Sequence, residues 1–497
     1  MPGTDQTRGR LGDLPQGYSA TMRLDPDATA GSGPRTAPVP RSAELPQTSD
    51  EHLTRADLVW ALIVGAVIGT AFVVPHLHLP WLSPVVHQSP GQNHALATTA
   101  PVLGAWLPHG NWSTMASVGV AAVVIGVGPV VARGLTWRPL LLVAWLGSLA
   151  WTVALTLIDG PVRGWAGRMD RRGGYLGQVP RHESIWSLVH GFGSHIAASS
   201  PAPWDISIAG DPPGALLTFV GLDRVGLSGA WLASALCVVV GTSAGAAVLV
   251  TVRALGDEGM ARRAAPFVVL APTAIWVGVS ADGYFAGVAA WGIALLALAA
   301  GRSCRAPDAM AVGAGVLLGW AVYLDYGLIL LAIPCVAVLV ATRNVRPLLP
   351  AALAAVVVVA CFTVSGFWWL GGLGHLRARY WAGIARDRPY RYWIWANLVS
   401  LTCAIGLPAA VAVRRAADRS ALARRAALPV LLVAFLIVVV AADVSGLSKA
   451  ETERIWLPFA VWLVAAPALL PHWTHRYLLV VQAIGALLIN SLLFTTW

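Results

Sequence analysis

Carboxylates stand at positions where an apolar chain rarely tolerates them. Asp159 ends an apolar run in Ile158-Asp159-Gly160, and Asp282 and Asp325 occupy tight turns between long apolar stretches. A charge at the boundary of an apolar slab is costly, so it marks a functional site by default. Asp159 lies at an apolar edge with arginine nearby, which suits a general base taking a proton from a hydroxyl. Arg163 falls one turn further on if the helix continues. Read locally, Asp159-Gly160-Pro161 is equally a plain helix-ending turn. Asp282 is the second catalytic candidate.

The cationic counterpart lies downstream. Between 371 and 393, Arg377, Arg379, Arg386, Arg388 and Arg391 interleave with Tyr380, Trp381, Tyr390, Tyr392 and Trp393. Arginine forks bind phosphate oxygens in pairs, and tyrosine and tryptophan settle at headgroup level or stack on a sugar face. Arg377, Arg379, Tyr380, Arg388, Tyr390 and Arg391 are therefore candidate ligands for a lipid-linked phosphate. An aromatic belt with arginines reaching to headgroups is the simpler reading of the same residues. Lys449 to Arg454 adds Glu451, Glu453 and Arg454, paired charges beside an aromatic-bearing span.

Five histidines between 76 and 109 (His76, His78, His87, His94, His109) invite a metal. Their spacing matches no zinc pattern and no cysteine accompanies them, so no metal ligand is assigned, while an assisting divalent ion is left open. The five cysteines (Cys237, Cys304, Cys335, Cys361, Cys403) contain no CxxC pair and imply no disulfide framework. Net charge is +10, but the arginines sit in short loops between apolar stretches, which points to membrane lipids and not to nucleic acid.

The elements that position these residues follow from hydropathy. The chain is 57% hydrophobic and 12% charged, with a mean hydropathy of +0.66. Residues 1–56 are rich in Pro, Ser, Thr, Gly and charge without apolar periodicity and are expected to be a disordered cytoplasmic tail. The remainder, 57–497, reads as an all-α polytopic membrane domain. Its apolar stretches lie at about 58–75, 115–132, 139–158, 228–252, 264–281, 283–301, 309–323, 326–342, 348–370, 393–413, 427–443, 455–470 and 476–495, about thirteen transmembrane helices. Whether 309–342 makes two full spans or a re-entrant pair stays open. With the tail inside, every inner loop carries arginine. Of seventeen Asp and Glu beyond residue 56, twelve then fall outside, Asp159, Asp211, Asp282 and Asp325 among them. The reading is of one outward-facing polar site built from several loops of a multi-pass plasma-membrane protein.

The main outer loop is 159–227 and a second covers 371–392. Within the first, Ile185, Val189, Phe192 and Ile196 are spaced four, three and four apart, predicting an amphipathic helix lying in the interface. Asp211-Pro212-Pro213-Gly214 predicts a rigid turn.

These features together resemble the GT-C superfamily, membrane glycosyltransferases that use polyprenyl-phosphate sugars. The resemblance is carried by the loop opening on an acidic residue, the segments Tyr175-Leu-Gly-Gln-Val-Pro180 and Gly210-Asp211-Pro-Pro-Gly214, Ser280-Ala-Asp282-Gly-Tyr284, and Arg388-Pro-Tyr390. It covers about residues 139–470, in a high-Ala, high-Arg composition of actinobacterial kind. Asp211 stands where the family commonly has His, and two spans precede the loop instead of one. The resemblance implies an inverting hexosyl or pentosyl transfer to a glycan or glycolipid acceptor of the cell envelope on the extracytoplasmic face. Asp159 would be the base, Asp282 would orient the acceptor, and Arg163, Tyr175, Asp211, Glu453 and Arg454 would join the downstream arginines in holding substrate. A lipid-linked sugar flippase and a catalytically inactive scaffold of the same fold remain as alternatives. A flippase would show internal repeats and midplane charges, whereas here charges cluster at span ends and no repeat is apparent.

Overall fold

A computed structural model of the protein describes residues 52–77, 79–82, 99–170, 174–179, 184–301 and 304–495. The predicted tail up to residue 51 lies outside them, as do His78, His87, His94, Arg171, Arg172, Arg181 and Glu183. The fold is all-α. Its main helices are α1 (Arg55–Val73), α2 (Trp112–Gly134), α3 (Trp137–Thr156), α4 (Ile185–Gly191), α5 (Pro213–Arg224), α6 (Ala230–Ala254), α7 (Glu258–Val269), α8 (Ala281–Ala300), α9 (Pro307–Val322), α10 (Ala332–Thr342), α11 (Leu348–Val364), α12 (Trp369–Ala382), α13 (Tyr390–Ile405), α14 (Leu407–Ala412), α15 (Ala427–Val444), α16 (Leu457–Leu463) and α17 (His475–Leu492).

Among the described residues, seven helices are long and apolar enough to cross a membrane, or up to nine if each of two bent pairs is one span. The thirteen expected stretches are all helical in whole or in part, yet several are too short or too broken. Residues 307–322, 326–342 and 457–469 form shorter apolar helices. The stretch expected at 264–281 is interrupted: α7 stops at Val269, a turn follows through Pro272, a single turn covers Ala274–Val277, and the chain bends at Gly278. Proline removes a backbone donor and breaks the ladder, a cost that a hydropathy average cannot see. The bent pairs turn by 70° between α11 and α12 and by 116° after α13. Most of the second outer loop, expected at 371–392, is therefore the helix α12.

At the centre α8 packs against α6 and α9, and α9 packs against α11. In the best apolar window of α8, 78% of residues are buried, against 6% in α1, so α8 is the axis of the bundle and α1 lies on its perimeter. Without a hydrophobic drive between helices in lipid, close backbone approach carries the packing. Gly315 shows it: a Cβ there would stand 2.0 Å from the Ala351 carbonyl oxygen of α11.

One small sheet joins distant parts of the chain. The strand β1 (Gly104–Trp106) pairs antiparallel with β2 (Leu493–Thr495), Gly104 opposite Thr495. His109 N–H continues the ladder by donating to the Ser491 carbonyl at 2.8 Å. Three-residue strands give no periodicity to read, and the sequence did not foreshadow them.

The amphipathic segment of the first loop is shorter than expected. Ser184 caps α4, which yields after Gly191 to the 3₁₀ turn Phe192–His195. Val189, Phe192 and Ile196 are buried and Ile185 is exposed. Phe192 meets Phe367 edge-on, ring centres 5.7 Å apart, so this apolar face packs on the protein itself.

Gly315→Leu is expected to force α9 from α11. Overpacking of this kind costs about 1–3 kcal/mol, and a thermal melt of the purified variant should fall by several degrees; an unchanged melt would mean the helices are not in close contact there.

Candidate functional site

The site is built where α3 ends and α8 begins, together with the start of α2 and the ends of α9 and α17. α2 is opened by a cap in which Asn111 accepts from Ser113 N–H, and the Asn111 amide donates to the Leu157 carbonyl at 2.8 Å, fixing the two helix ends together. The last turn of α3 meets the bend before α8 so closely that a Cβ on Gly278 would touch the Thr156 hydroxyl.

Asp159 ends this turn, its side chain 6% exposed. One oxygen accepts from Arg168 at 2.6 Å and the other meets His109 Nε2 at 2.7 Å. The second ring nitrogen of His109 faces the Leu107 carbonyl at 2.7 Å, so both ring nitrogens lie against oxygens. The helix does not continue to Arg163. Gly160 turns the chain at φ +85°, a π-type turn follows over Pro161–Ala166, and the exposed Arg163 guanidinium lies 3.1 Å above the Phe494 ring. The C-terminal strand thus braces both His109 and Arg163. Burial presses the Arg168 pKa down, opposed by Asp159.

The second cluster gathers Asp211, Asp282 and Asp325. Pro212 and Pro213 start α5, and Gly214 seats it: a Cβ there would stand 2.5 Å from the Tyr323 carbonyl oxygen, just ahead of Asp325. Asp211 accepts a short hydrogen bond from Tyr175, whose ring stacks on Phe219 of α5. Asp282, 5% exposed in the first turn of α8, receives Arg454 at 2.5 Å. Arg454 also pairs with Glu451 at 3.3 Å, and Glu451 faces Arg388 at 3.6 Å. Burial, then the charges of Asp325 and Asp282, pushes the Asp211 carboxyl well up. Asp325 is raised to about 6, by burial first and by Asp282, against a hydrogen bond from Gly327 N–H. The supporting segment is strained: Ala450 and Glu451 both adopt positive φ, 73° and 63°. Non-glycine residues hold such angles at a cost of order 1–3 kcal/mol, and these angles cluster at functional sites.

The arginine-aromatic segment divides. Arg379 spends its guanidinium on the carbonyls of Ile196 and Trp204, at 2.7 and 2.9 Å, clamping α12 onto the first loop. Arg388 is buried and donates to the Lys449 carbonyl. Tyr380 accepts from Lys449 N–H at 3.0 Å, and the Lys449 ammonium sits 4.6 Å over Trp381. Tyr390 donates to carbonyls at the end of α15. Arg377 and Arg391 are exposed. Glu453 is fully buried, accepts from Leu103 N–H at 3.1 Å and is pushed up to about 7, by burial first.

Of the sequence candidates, Tyr175, Asp211, Asp282 and Arg454 come together, with Arg388 attached through Glu451. Asp159 and Arg163 form a neighbouring cluster, and Arg379 and Glu453 hold the scaffold. Sequence reasoning gave His109 and Arg168 no place in the site, and it counted Asp325 among the site's carboxylates without assigning it a role. Asp325 had signalled itself by sitting in a tight turn, and His109 by standing with the other histidines. Among the described residues, no three His, Cys, Asp or Glu side chains converge on a point where a metal ion could be held.

No protein-family model matches the chain, and no curated protein matches it. Among solved structures it is similar to the Archaeoglobus fulgidus oligosaccharyltransferase in complex with Zn and sulfate, at 15% identity and TM-score 0.41, over 72% of this chain and 53% of that one. It is also similar to the archaeal oligosaccharyltransferase AglB from Archaeoglobus fulgidus in complex with an inhibitory peptide and a dolichol-phosphate, at 13% identity and TM-score 0.42, over 72% and 56%. The apo form of the Archaeoglobus fulgidus enzyme gives 12%, 0.38, 88% and 56%. The chain spans about half the length of these proteins. No residue's role rests on the likeness.

The Asp325 shift has a signed consequence. Its folded pKa is raised, so the bound proton stabilises the fold fully below the ordinary carboxylate value of about 4. That contribution is lost as pH rises through about 6. Melts between pH 4 and 7 should therefore fall more steeply for wild type than for Asp325→Asn; parallel curves would contradict the assigned environment.

Proposed function

We propose that the protein is a membrane glycosyltransferase that moves a sugar from a polyprenyl-phosphate donor to a cell-envelope acceptor on the extracytoplasmic face. What supports the reading above all is one gathering of charge. Carboxylates from four separate segments (Asp159, Asp211, Asp282 and Asp325) lie at one end of an apolar bundle with Arg168 and Arg454 among them. A donor with a lipid tail, an anionic phosphate and a hydroxylated sugar asks for these three surfaces side by side.

In the proposed reaction, a carboxylate takes the proton from an acceptor hydroxyl as its oxygen forms a bond to the anomeric carbon. The bond from that carbon to the phosphate oxygen breaks, inverting the centre, and polyprenyl phosphate leaves with the electron pair. A positioned base supplies one part of the rate and cations at the departing phosphate the other. Asp159 is the base. Its contacts with His109 and Arg168 fix its orientation, and each carboxylate oxygen retains a further lone pair for the hydroxyl. Arg454, with the exposed Arg377 and Arg391 near the rim, receives the phosphate. Asp282, Asp211 and Tyr175 orient sugar and acceptor hydroxyls. A second assignment has its own support: Asp325, with a pKa of about 6, is closer to what a base working near neutral pH requires.

The test is transfer of radiolabelled sugar from a panel of polyprenyl-phosphate donors in membranes carrying the full chain. Wild type should label an envelope glycan or glycolipid, Asp159→Asn should lower the rate at least 10²-fold, the low end for a general base, and Arg454→Gln should lower it as well. If Asp325→Asn abolishes transfer while Asp159→Asn retains it, the base is Asp325. Absence of label with every donor, from protein that is folded, would overturn the glycosyltransferase reading in favour of a flippase or scaffold.

A further inference from the structure

At the end of α2 away from Asp159 lies a cavity of about 280 Å³ that the proposed reaction does not use. α2 has 23 residues, so at 1.5 Å per residue its two ends stand roughly 34 Å apart. Three helices meet around the cavity. α2 contributes Arg133, α7 contributes Arg263 and Phe267, and α17 contributes His475 and Leu479.

The charges there are unequally used. Arg262 is consumed by structure: it pairs with Glu258 at 2.6 Å and donates to the Ala132 and Leu135 carbonyls, each at 2.8 Å, which ties α7 to the end of α2. Glu258 is occupied in turn by Arg253 and Arg262. Arg133 and Arg263 are both exposed, and no carboxylate pairs with either among the described residues. His475 is buried, with one ring nitrogen on the Leu470 carbonyl at 2.9 Å and its ring edge-on to Phe267. Two free guanidiniums and an imidazole, with the occupied Arg262 beside them, thus face a space whose other walls are apolar.

We propose that this cavity binds the phosphodiester headgroup of an anionic phospholipid. Phosphate matches the paired arginine forks. The apolar walls of Phe267 and Leu479 suit the glycerol and first acyl carbons, which a free phosphate would leave exposed to an empty apolar surface. The depth agrees: Trp473 and Tyr477, beside His475, are 52% and 71% exposed, as expected for aromatics at the level where headgroups meet hydrocarbon. Basic pockets between helices at this level recognise headgroups by the same physics.

The experiment uses the full chain in detergent, with retention of added phosphatidylglycerol read by native mass spectrometry against phosphatidylcholine. Wild type should retain phosphatidylglycerol preferentially, and the double variant Arg133→Gln with Arg263→Gln should lose that preference by roughly tenfold, given the contribution of each surface cation to headgroup binding. The double variant Arg419→Gln with Arg424→Gln removes equal charge elsewhere and should retain the preference. Equal loss in both double variants would overturn the site in favour of general surface charge. Displacement of the lipid by millimolar inorganic phosphate would overturn the headgroup assignment in favour of a free phosphate site. No preference in wild type would overturn both.

Discussion

The ion pair between Asp282 and Arg454 is the constraint on which the polar end of the bundle depends. Asp282 stands in the first turn of α8, the most buried of the seven long apolar helices among the described residues, where a carboxylate without a partner would be intolerable. Its partner arrives from 172 residues downstream at 2.5 Å. That approach demands the left-handed turn at Ala450-Glu451, the clasp of Glu451 by Arg388, and the seating of Lys449 among carbonyls of the 385–388 turn. Once Arg454 is fixed it faces three carboxylates and satisfies only one fully. Burial first, and then the neighbouring carboxylate charge, raises Asp211 and Asp325, and such raised groups are a usual mark of a site that does chemistry.

The same logic separates the two carboxylate clusters. Asp159 is held between Arg168 and His109, whereas Asp211 and Asp325 are pushed up by burial first and keep their protons more readily. Carboxylates with environments pushed apart can divide the work of a reaction between them. The first loop serves both clusters: its Gly160 turn delivers Arg168 to Asp159, and its Pro-Pro-Gly turn delivers Asp211 to the end of α9. Arg379, reaching from α12 to two carbonyls of that loop, keeps it in place.

Much of this was legible in the residues. Apolar runs announced the helices, and carboxylates at Asp159, Asp282 and Asp325 announced where the polar end would form, because charge at an apolar boundary is expensive enough to be informative. What escaped was set by contacts between distant segments. His109 gives no local sign that it will meet Asp159, 50 residues away; only the pairing of β1 with the chain's last strand brings it there. The expected thirteen spans are not matched by the seven to nine described helices long and apolar enough to cross, because hydropathy averages across Pro272 and Gly278, where the ladder breaks. Arg379 looked like a phosphate ligand because an arginine in an outer segment carries the same letter whether it faces lipid or a loop carbonyl.

The most direct measurement is a cryo-electron microscopy map of the protein in lipid nanodiscs with a polyprenyl monophosphate added. The account predicts phosphate density beside Arg454, within reach of the end of α8 where Asp282 lies, and a lipid tail running down the apolar perimeter from that point. Polyprenyl density confined to the perimeter, with ordered solvent alone between Asp159 and Arg454, would contradict it.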